Sequence, residues 1–196
     1  SIWGGVSVMN SIVKLGLNLF AICAVAALLL GVTNQVTAPV IAERNVQANN
    51  ESRQIVLPDA NEFTQVSDSE YENIDGIVSE VYEGKNGSET VGYTVKVLPK
   101  GYGGAIELIV GISKDGTVSG INIGNMSETP GLGAKASDSS FKDQFAGKPV
   151  SELILIKGSS SGENEISAIS GATITSSAVT DGVNVAIELF NSSLSK

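Results

Sequence analysis

Histidine is absent from the 196-residue chain, and cysteine occurs once, as Cys23 within an apolar run. The lack of histidine removes the commonest general base and the commonest metal ligand. A single thiol excludes a disulfide framework, a cysteine zinc cluster or an iron–sulfur cluster built by this chain alone. We therefore predict no metal site, and any redox chemistry here requires an organic cofactor.

Basic residues are also scarce. The chain holds 12 Lys and Arg against 21 Asp and Glu, for a formal net charge of −9. Lys14 is the only charged residue before Glu43, so almost all of the negative charge lies after that point. Without a basic patch a protein cannot neutralise the phosphates of a duplex, and nucleic acid is therefore excluded as a partner.

A long apolar run occupies residues 12–33, and its stretch from Leu15 to Val32 has one polar member, Asn18. This length predicts a helix that crosses a lipid bilayer. A cleaved signal peptide is the alternative, but its apolar region is usually only about 7–15 residues long and ends in a small-x-small site. A lipoprotein would use Cys23, yet Ile22 stands where a small residue is needed. We predict an uncleaved single-span anchor.

The flanks of this run indicate its orientation and the boundaries around it. Lys14 lies on the N-terminal side, which by the positive-inside rule predicts that residues 1–11 are cytoplasmic and that the acidic domain is extracytoplasmic. Met9 resembles a natural start, so residues 1–8 are expected to be an added extension. We expect a transmembrane helix over 12–33, a connecting helix over 34–60 and one domain over 61–196.

The predicted elements of the outer region favour an α+β domain with a mixed or antiparallel sheet and flanking helices. Pro39 predicts a helix break, and the polar segment up to Pro58 predicts a helix that leaves the membrane. Strand-like segments and two later helices follow. The predicted strands are 76–82 and 90–97 around Asn86-Gly87, then 105–112 and 117–123, then 153–156, and the predicted helices are 139–145 and 176–190.

Hydroxyl side chains surround the start of the last predicted helix: Ser170, Thr173, Thr175, Ser176 and Ser177. Any of them could cap the helix. No acid appears before Asp181, so the positive end of the helix dipole is predicted to lack a protein anion, and a phosphate would fill that place. Capping and phosphate binding both fit the spacing.

Three motifs together resemble one family. Ser170-Gly171-Ala172-Thr173 resembles the flavin-attachment site of RnfG, a component of the Rnf complex, and of the related NqrC component of the Na⁺-pumping NADH:quinone reductase. Glu128-Thr129-Pro130-Gly131-Leu132-Gly133 is similar to the loop that lies against the flavin in that family. Gly101-Tyr102-Gly103-Gly104 is similar to the glycine turn before a central strand, and its glycines would let the backbone approach a flat ring. This order behind one span is a specific pattern.

The resemblance implies an extracytoplasmic FMN-binding domain with FMN bound covalently to Thr173 through a phosphoester. A flavin transferase would move FMN from FAD onto this hydroxyl. The remaining cofactor-binding residues that the resemblance implies are Ser170, Gly171, Ala172, Thr175, Glu128, Thr129, Gly131, Leu132, Gly133, Gly103 and Lys157. Lys157 would stabilise reduced flavin, although a solvated lysine is the ordinary interpretation.

The implied function is electron transfer within a membrane-bound, ion-translocating ferredoxin:NAD⁺ oxidoreductase, alongside the other membrane subunits of that complex. The chain would be one component of a translocase and not catalytic alone. The NqrC component of the quinone reductase is one alternative, and a membrane-anchored acidic binding or assembly module without a cofactor is another. Ser167 departs from the family pattern because relatives carry an acid there, and Glu165 lies two residues earlier.

Overall fold

The computed structural model describes residues 3–195, with side chains described over 13–38 and 47–195. The chain forms two compact units, Ser1–Ala48 and Asn49–Lys196. Within the first unit, Val13–Ala38 has a mean hydropathy of 2.4 and exposed side chains, and it is long and apolar enough to cross a membrane. This candidate span includes nearly all of the predicted run 12–33. The expected extension over residues 1–8 lies outside the described side chains.

Helix α1 runs from Trp3 to Val56, so its last residues belong to the second unit. The predicted break at Pro39 is wrong, because the helix continues through it. A proline inside a helix removes one hydrogen bond and bends the backbone, but helix-forming sequence on both sides keeps the helix intact. The helix ends before Pro58, as predicted.

The second unit is α+β, with a six-stranded antiparallel sheet in the order β1-β2-β3-β4-β5-β6 and a separate parallel pair, β7-β8. The strands are β1 (Glu62–Gln65), β2 (Val78–Asn86), β3 (Glu89–Val97), β4 (Leu108–Ser113), β5 (Thr117–Ile123), β6 (Lys148–Pro149), β7 (Ile154–Ile156) and β8 (Glu165–Ser167). The predicted hairpins form, whereas β1, β6 and β8 were not predicted.

Two further helices complete the unit: the short α2 (Ser139–Lys142), followed by a 3₁₀ turn, and the long α3 (Thr173–Leu189). The apolar face predicted for the last helix is buried, with Val179, Val183 and Ala186 fully enclosed. It shares one core with inward-facing strand residues such as Val110 and Ile112. This packing fixes where α3 begins relative to the sheet.

The opposite face of the sheet receives the end of α1. Because successive strand side chains alternate between faces, Gly111 points away from its buried neighbours Val110 and Ile112. A Cβ at Gly111 would collide with the carbonyl oxygen of Val56, and that oxygen also accepts a hydrogen bond from the Ser119 hydroxyl. The last turn of α1 therefore rests directly on sheet backbone.

Arg53 anchors the same helix end. Its side chain is only 4% exposed, and its guanidinium lies 3.6 Å from the centre of the Tyr82 ring. One guanidinium nitrogen donates to Glu80 at 2.6 Å and another to Asn50 at 2.7 Å. A buried arginine needs such partners, since an unpaired charge in this position would be strongly destabilising.

Candidate functional site

Three segments of the second unit enclose a cavity of about 590 Å³: the glycine turn near residue 102, the loop 128–133 and the start of α3. This volume lies within the usual range for small-molecule and cofactor sites. The lining residues are Tyr102, Glu128, Thr129, Leu132, Gly133, Gly171, Ala172, Thr173, Ile174 and Thr175. The structure thus brings together the three motifs that the sequence analysis singled out.

Helix α3 begins at Thr173, earlier than the predicted residue 176, and its N-cap is Ala172. Alanine has no side-chain oxygen, so it cannot cap the helix. Gly171 precedes it with a φ of +78°, a left-handed conformation that glycine adopts without strain. The N–H groups of residues 173–175 have no intrahelical partner. Among the residues that the structure describes, no side chain accepts a hydrogen bond from them.

The other hydroxyls predicted as possible caps are used elsewhere. Ser176 is fully buried, donates to the carbonyl of Ala172 at 2.9 Å and accepts from the N–H of Ile169 at 3.0 Å. Ser177 donates to Asp181 at 3.1 Å. The capping interpretation is therefore wrong for these side chains, and the helix start is left able to bind an anion through backbone N–H groups.

Glu128 joins the three walls of the cavity. Its carboxylate is buried, accepts from the N–H of Gly103 at 2.9 Å through Oε1, and accepts from the hydroxyl of Thr175 at 2.6 Å through Oε2. The expectation that no protein anion lies near the start of α3 is thus wrong. The sequence pattern missed this carboxylate because it comes from a loop 47 positions earlier in the chain.

Gly133 makes this arrangement possible. A Cβ at Gly133 would lie 2.5 Å from Glu128 Oε2 and 2.6 Å from Thr175 Oγ1, both well inside van der Waals contact. The glycine therefore lets the loop backbone press against the hydrogen-bonded pair. Any larger residue has to displace the carboxylate or the hydroxyl.

Thr173 and Thr175 lie on the same helix turn but differ in accessibility. Thr173 is exposed and lines the cavity, whereas Thr175 is 1% exposed and its hydroxyl is bonded to Glu128. Ser170 is exposed but does not line the cavity. A hydroxyl that an external enzyme modifies must be reachable, and Thr173 meets that requirement at the cavity wall.

The remaining predicted site residues lie further out. Gly103 contributes its N–H to Glu128 without lining the cavity, and Gly131 lies beside the lining residues with a φ of +77°. Lys157 is exposed beyond β7 and does not line the cavity. Glu165 accepts hydrogen bonds from the N–H groups of Ser161 and Gly162, which lower the pKa of its carboxyl.

The segment that leads into Glu128 is held by a second carboxylate. Glu107 Oε2 accepts from the Asn125 side chain at 2.9 Å, and Glu107 Oε1 forms an ion pair with Lys96 at 2.6 Å. Burial raises the pKa of Glu107, but the bonds from Lys96 and Asn125 outweigh it and hold that pKa below its ordinary value. These contacts fix the loop at its base, beside the sheet.

Family models match both parts of the chain. The FMN-binding domain matches residues 101–188, which contain every lining residue of the cavity, and the RnfG N-terminal region matches residues 7–53. An FMN-binding domain preceded by a helical N-terminal region of this kind is the class that the fold and the cavity define.

Curated relatives match along most of the chain. The RnfG-type component of the Na⁺-translocating ferredoxin:NAD⁺ oxidoreductase complex of Acetobacterium woodii is 50% identical over 188 residues, covering 90% of each chain. The proton-translocating counterpart of Clostridium ljungdahlii is 38% identical and covers 91% of each. The solved NqrC of Shewanella oneidensis overlaps 64% of this chain and 70% of its own, with a TM-score of 0.49 and 19% identity.

The chain therefore belongs to the RnfG family, whose members are components of ion-translocating ferredoxin:NAD⁺ oxidoreductase complexes. The resemblance stated from the three motifs is confirmed. The fold class is also as expected: one apolar N-terminal helix and an α+β domain with an antiparallel sheet.

Proposed function

We propose that this chain is the RnfG electron-transfer component of a membrane-bound, ion-translocating ferredoxin:NAD⁺ oxidoreductase, and that it carries FMN as a phosphoester on Thr173. The observation that carries this proposal is the position of Thr173: an exposed hydroxyl on the cavity wall, at the first residue of an uncapped helix. Bound FMN would supply stepwise electron transfer, while the chain positions it and shapes its surroundings.

The charges of the cavity support a covalent attachment. Among the residues that the structure describes, those lining the cavity include the carboxylate of Glu128 and no lysine or arginine. A free phosphate monoester would bring close to two negative charges next to that carboxylate without a cationic side chain to balance them. A diester carries one negative charge, which the N–H groups at the start of α3 are suited to stabilise. The tether then replaces the missing cation as the source of retention.

Attachment would be a transfer reaction in which this chain is the acceptor. The Thr173 oxygen attacks the phosphorus on the FMN side of FAD and loses its proton, the pyrophosphate P–O bond breaks, and AMP leaves. No histidine in the chain can take that proton. A flavin transferase therefore has to supply the base, and Thr173 only has to be reachable. Glu128, Thr175 and Gly133 hold the surrounding walls in place.

The same proposal includes the membrane and the protein partners. We assign the candidate span Val13–Ala38 to the lipid bilayer, with the N-terminus in the cytoplasm and the FMN-binding domain outside. The other membrane subunits of the complex would deliver and remove the electrons. Support comes from the family, whose members are named as subunits of ion-translocating complexes.

Intact mass and in-gel fluorescence after denaturation test the attachment. The chain should be produced in a host that has the flavin transferase, beside Thr173→Val, Thr173→Ser and Thr175→Val. We expect one FMN on the wild type, none on Thr173→Val, and retention on Thr175→Val. A wild-type mass equal to the bare chain would overturn the proposal in favour of an assembly module without cofactor. Loss of the label in Thr175→Val with retention in Thr173→Val would move the site.

A further inference from the structure

Tyr102 lines the cavity, yet 71% of its surface is exposed. Exposed single aromatic residues are common and need no explanation. Here, however, Leu132 at 45% and Ile174 at 57% exposure line the same cavity from the loop and from α3. Three large side chains from three segments therefore offer apolar surface around one opening. Such a cluster marks a place where a partner or ligand covers it.

The backbone on both sides of Tyr102 is fixed. Gly101 donates its N–H to the carbonyl of Gly104 at 2.7 Å, and Gly103 donates to Glu128 at 2.9 Å. A Cβ at Gly103 would collide with the carbonyl of Ser127, so the turn lies flush against the loop that leads to Glu128. The position of the Tyr102 ring is therefore set by the same carboxylate that shapes the cavity.

From these contacts we propose that Tyr102 is a cofactor-contact residue whose phenol ring packs against the flavin ring system carried by Thr173. This inference rests on the proposed function. The occupant follows from the chemistry of the opening: a planar aromatic group can stack on the phenol ring while its edges contact the apolar side chains of Leu132 and Ile174. Thr173, the point of attachment, lies next to Ile174 in the chain and lines the same cavity.

Contact between a phenol and a flavin has an optical signature. On excitation the flavin ring takes one electron from the adjacent phenol, and the electron then returns to the tyrosine without emission of light. No atom is transferred, and both groups end in their starting redox states. The fluorescence of the bound flavin is therefore low while Tyr102 is present, and it rises when the phenol is removed.

The test compares wild type, Tyr102→Ala, Tyr102→Phe and the control Tyr71→Phe in the full chain loaded with FMN. Tyr71 does not line the cavity, and its hydroxyl donates to Asp68. Fluorescence intensity and lifetime are measured per covalently bound flavin, as counted by intact mass. We expect about a twofold or larger rise in Tyr102→Ala and Tyr102→Phe, because phenylalanine is a much poorer electron donor, and no change in the control.

Collisional quenching by iodide gives the second measurement. Removal of the ring in Tyr102→Ala should expose the flavin and increase its quenching by iodide, whereas Tyr102→Phe should retain the wild-type accessibility. If Tyr102→Ala carries a full complement of FMN and matches the wild type in lifetime and iodide access, the inference is overturned. A wild-type chain without FMN by mass would instead overturn the proposed function. The exposed position of Tyr102 leaves the core of both variants intact.

Discussion

The Thr175 hydroxyl donates a hydrogen bond of 2.6 Å to the carboxylate of Glu128, and both residues are buried. The other carboxylate oxygen holds the N–H of Gly103. One side chain thereby ties the helix start, the loop and the glycine turn together around the exposed Thr173. Substitutions in this arrangement, and in the sheet that supports it, have effects that can be measured separately.

Removing the hydroxyl of Thr175 should destabilise the domain and slow flavin attachment. Thr175→Val leaves a buried carboxylate oxygen without its partner, at a cost of about 1–3 kcal/mol. Chemical denaturation of the outer domain and the initial rate of labelling measure the two effects. Thr175→Ser should restore both. Thr180→Val is the matched control, since Thr180 is equally buried but bonds only to the backbone of its own helix. A control that slows labelling equally would contradict the specific role of Thr175.

Gly133→Ala should impair the site more than its small size suggests. The new methyl group would have to displace either Glu128 or Thr175, so we expect a loss of about 1–3 kcal/mol in the free energy of unfolding and slower labelling of Thr173. Thermal unfolding and intact mass over time provide the measurements. Wild-type stability together with wild-type labelling would show that the loop has room to move.

The contact between α1 and the sheet predicts a difference between two paired glycines. Gly111 and Gly120 face each other on β4 and β5. A Cβ at Gly111 would collide with the backbone of Val56, whereas a Cβ at Gly120 would lie 4.0 Å from Val56, an ordinary contact. Gly111→Ala should therefore lower the free energy of unfolding by about 1–3 kcal/mol, and Gly120→Ala should change it much less. Equal effects in urea denaturation would refute this packing.

The ion pair between Lys96 and Glu107 predicts an acid-sensitive contribution to stability. The pKa of Glu107 lies below its ordinary value of 4.5 in the folded chain. Its stabilisation is therefore fully present above that value and is lost as the pH falls through the lower folded pKa. Lys96→Met should raise the pKa of Glu107 and flatten the dependence of stability on pH in this acidic range.

Lys114→Met provides the control for that measurement. Lys114 pairs with Glu89 at an exposed hairpin end, where solvent screens the interaction. Unfolding curves across the acidic range should therefore resemble those of the wild type. If Lys96→Met and Lys114→Met shifted the acid transition equally, a special role for Glu107 would be refuted.

Local patterns predicted the features that depend on nearby residues. The Asn86-Gly87 turn indicated the β2-β3 hairpin, and the spacing of Val179 and Val183 indicated the buried face of α3. The family motifs pointed to Glu128, Leu132, Gly133 and Thr173 as residues of one site. These predictions needed only turn chemistry, periodicity or a short motif.

The features that were missed depend on distant parts of the chain. The Glu128 carboxylate reaches the start of α3 across 47 positions, and no local spacing can indicate that. The strand β8 pairs with β7 through three residues each, too few for a periodic pattern. Tyr102 stands among glycines whose turn accounted for the motif without it. Its position became informative only beside Leu132 and Ile174.

The walls around Thr173 come from segments far apart in the chain, near residue 102, over 128–133 and from 171 onward. They meet only after the strands and α3 have packed together. A transferase that requires this shaped surrounding would label only chains that have completed folding. The flavin would then act as a record of correct folding, and a chain that misfolds would reach the membrane complex visibly colourless.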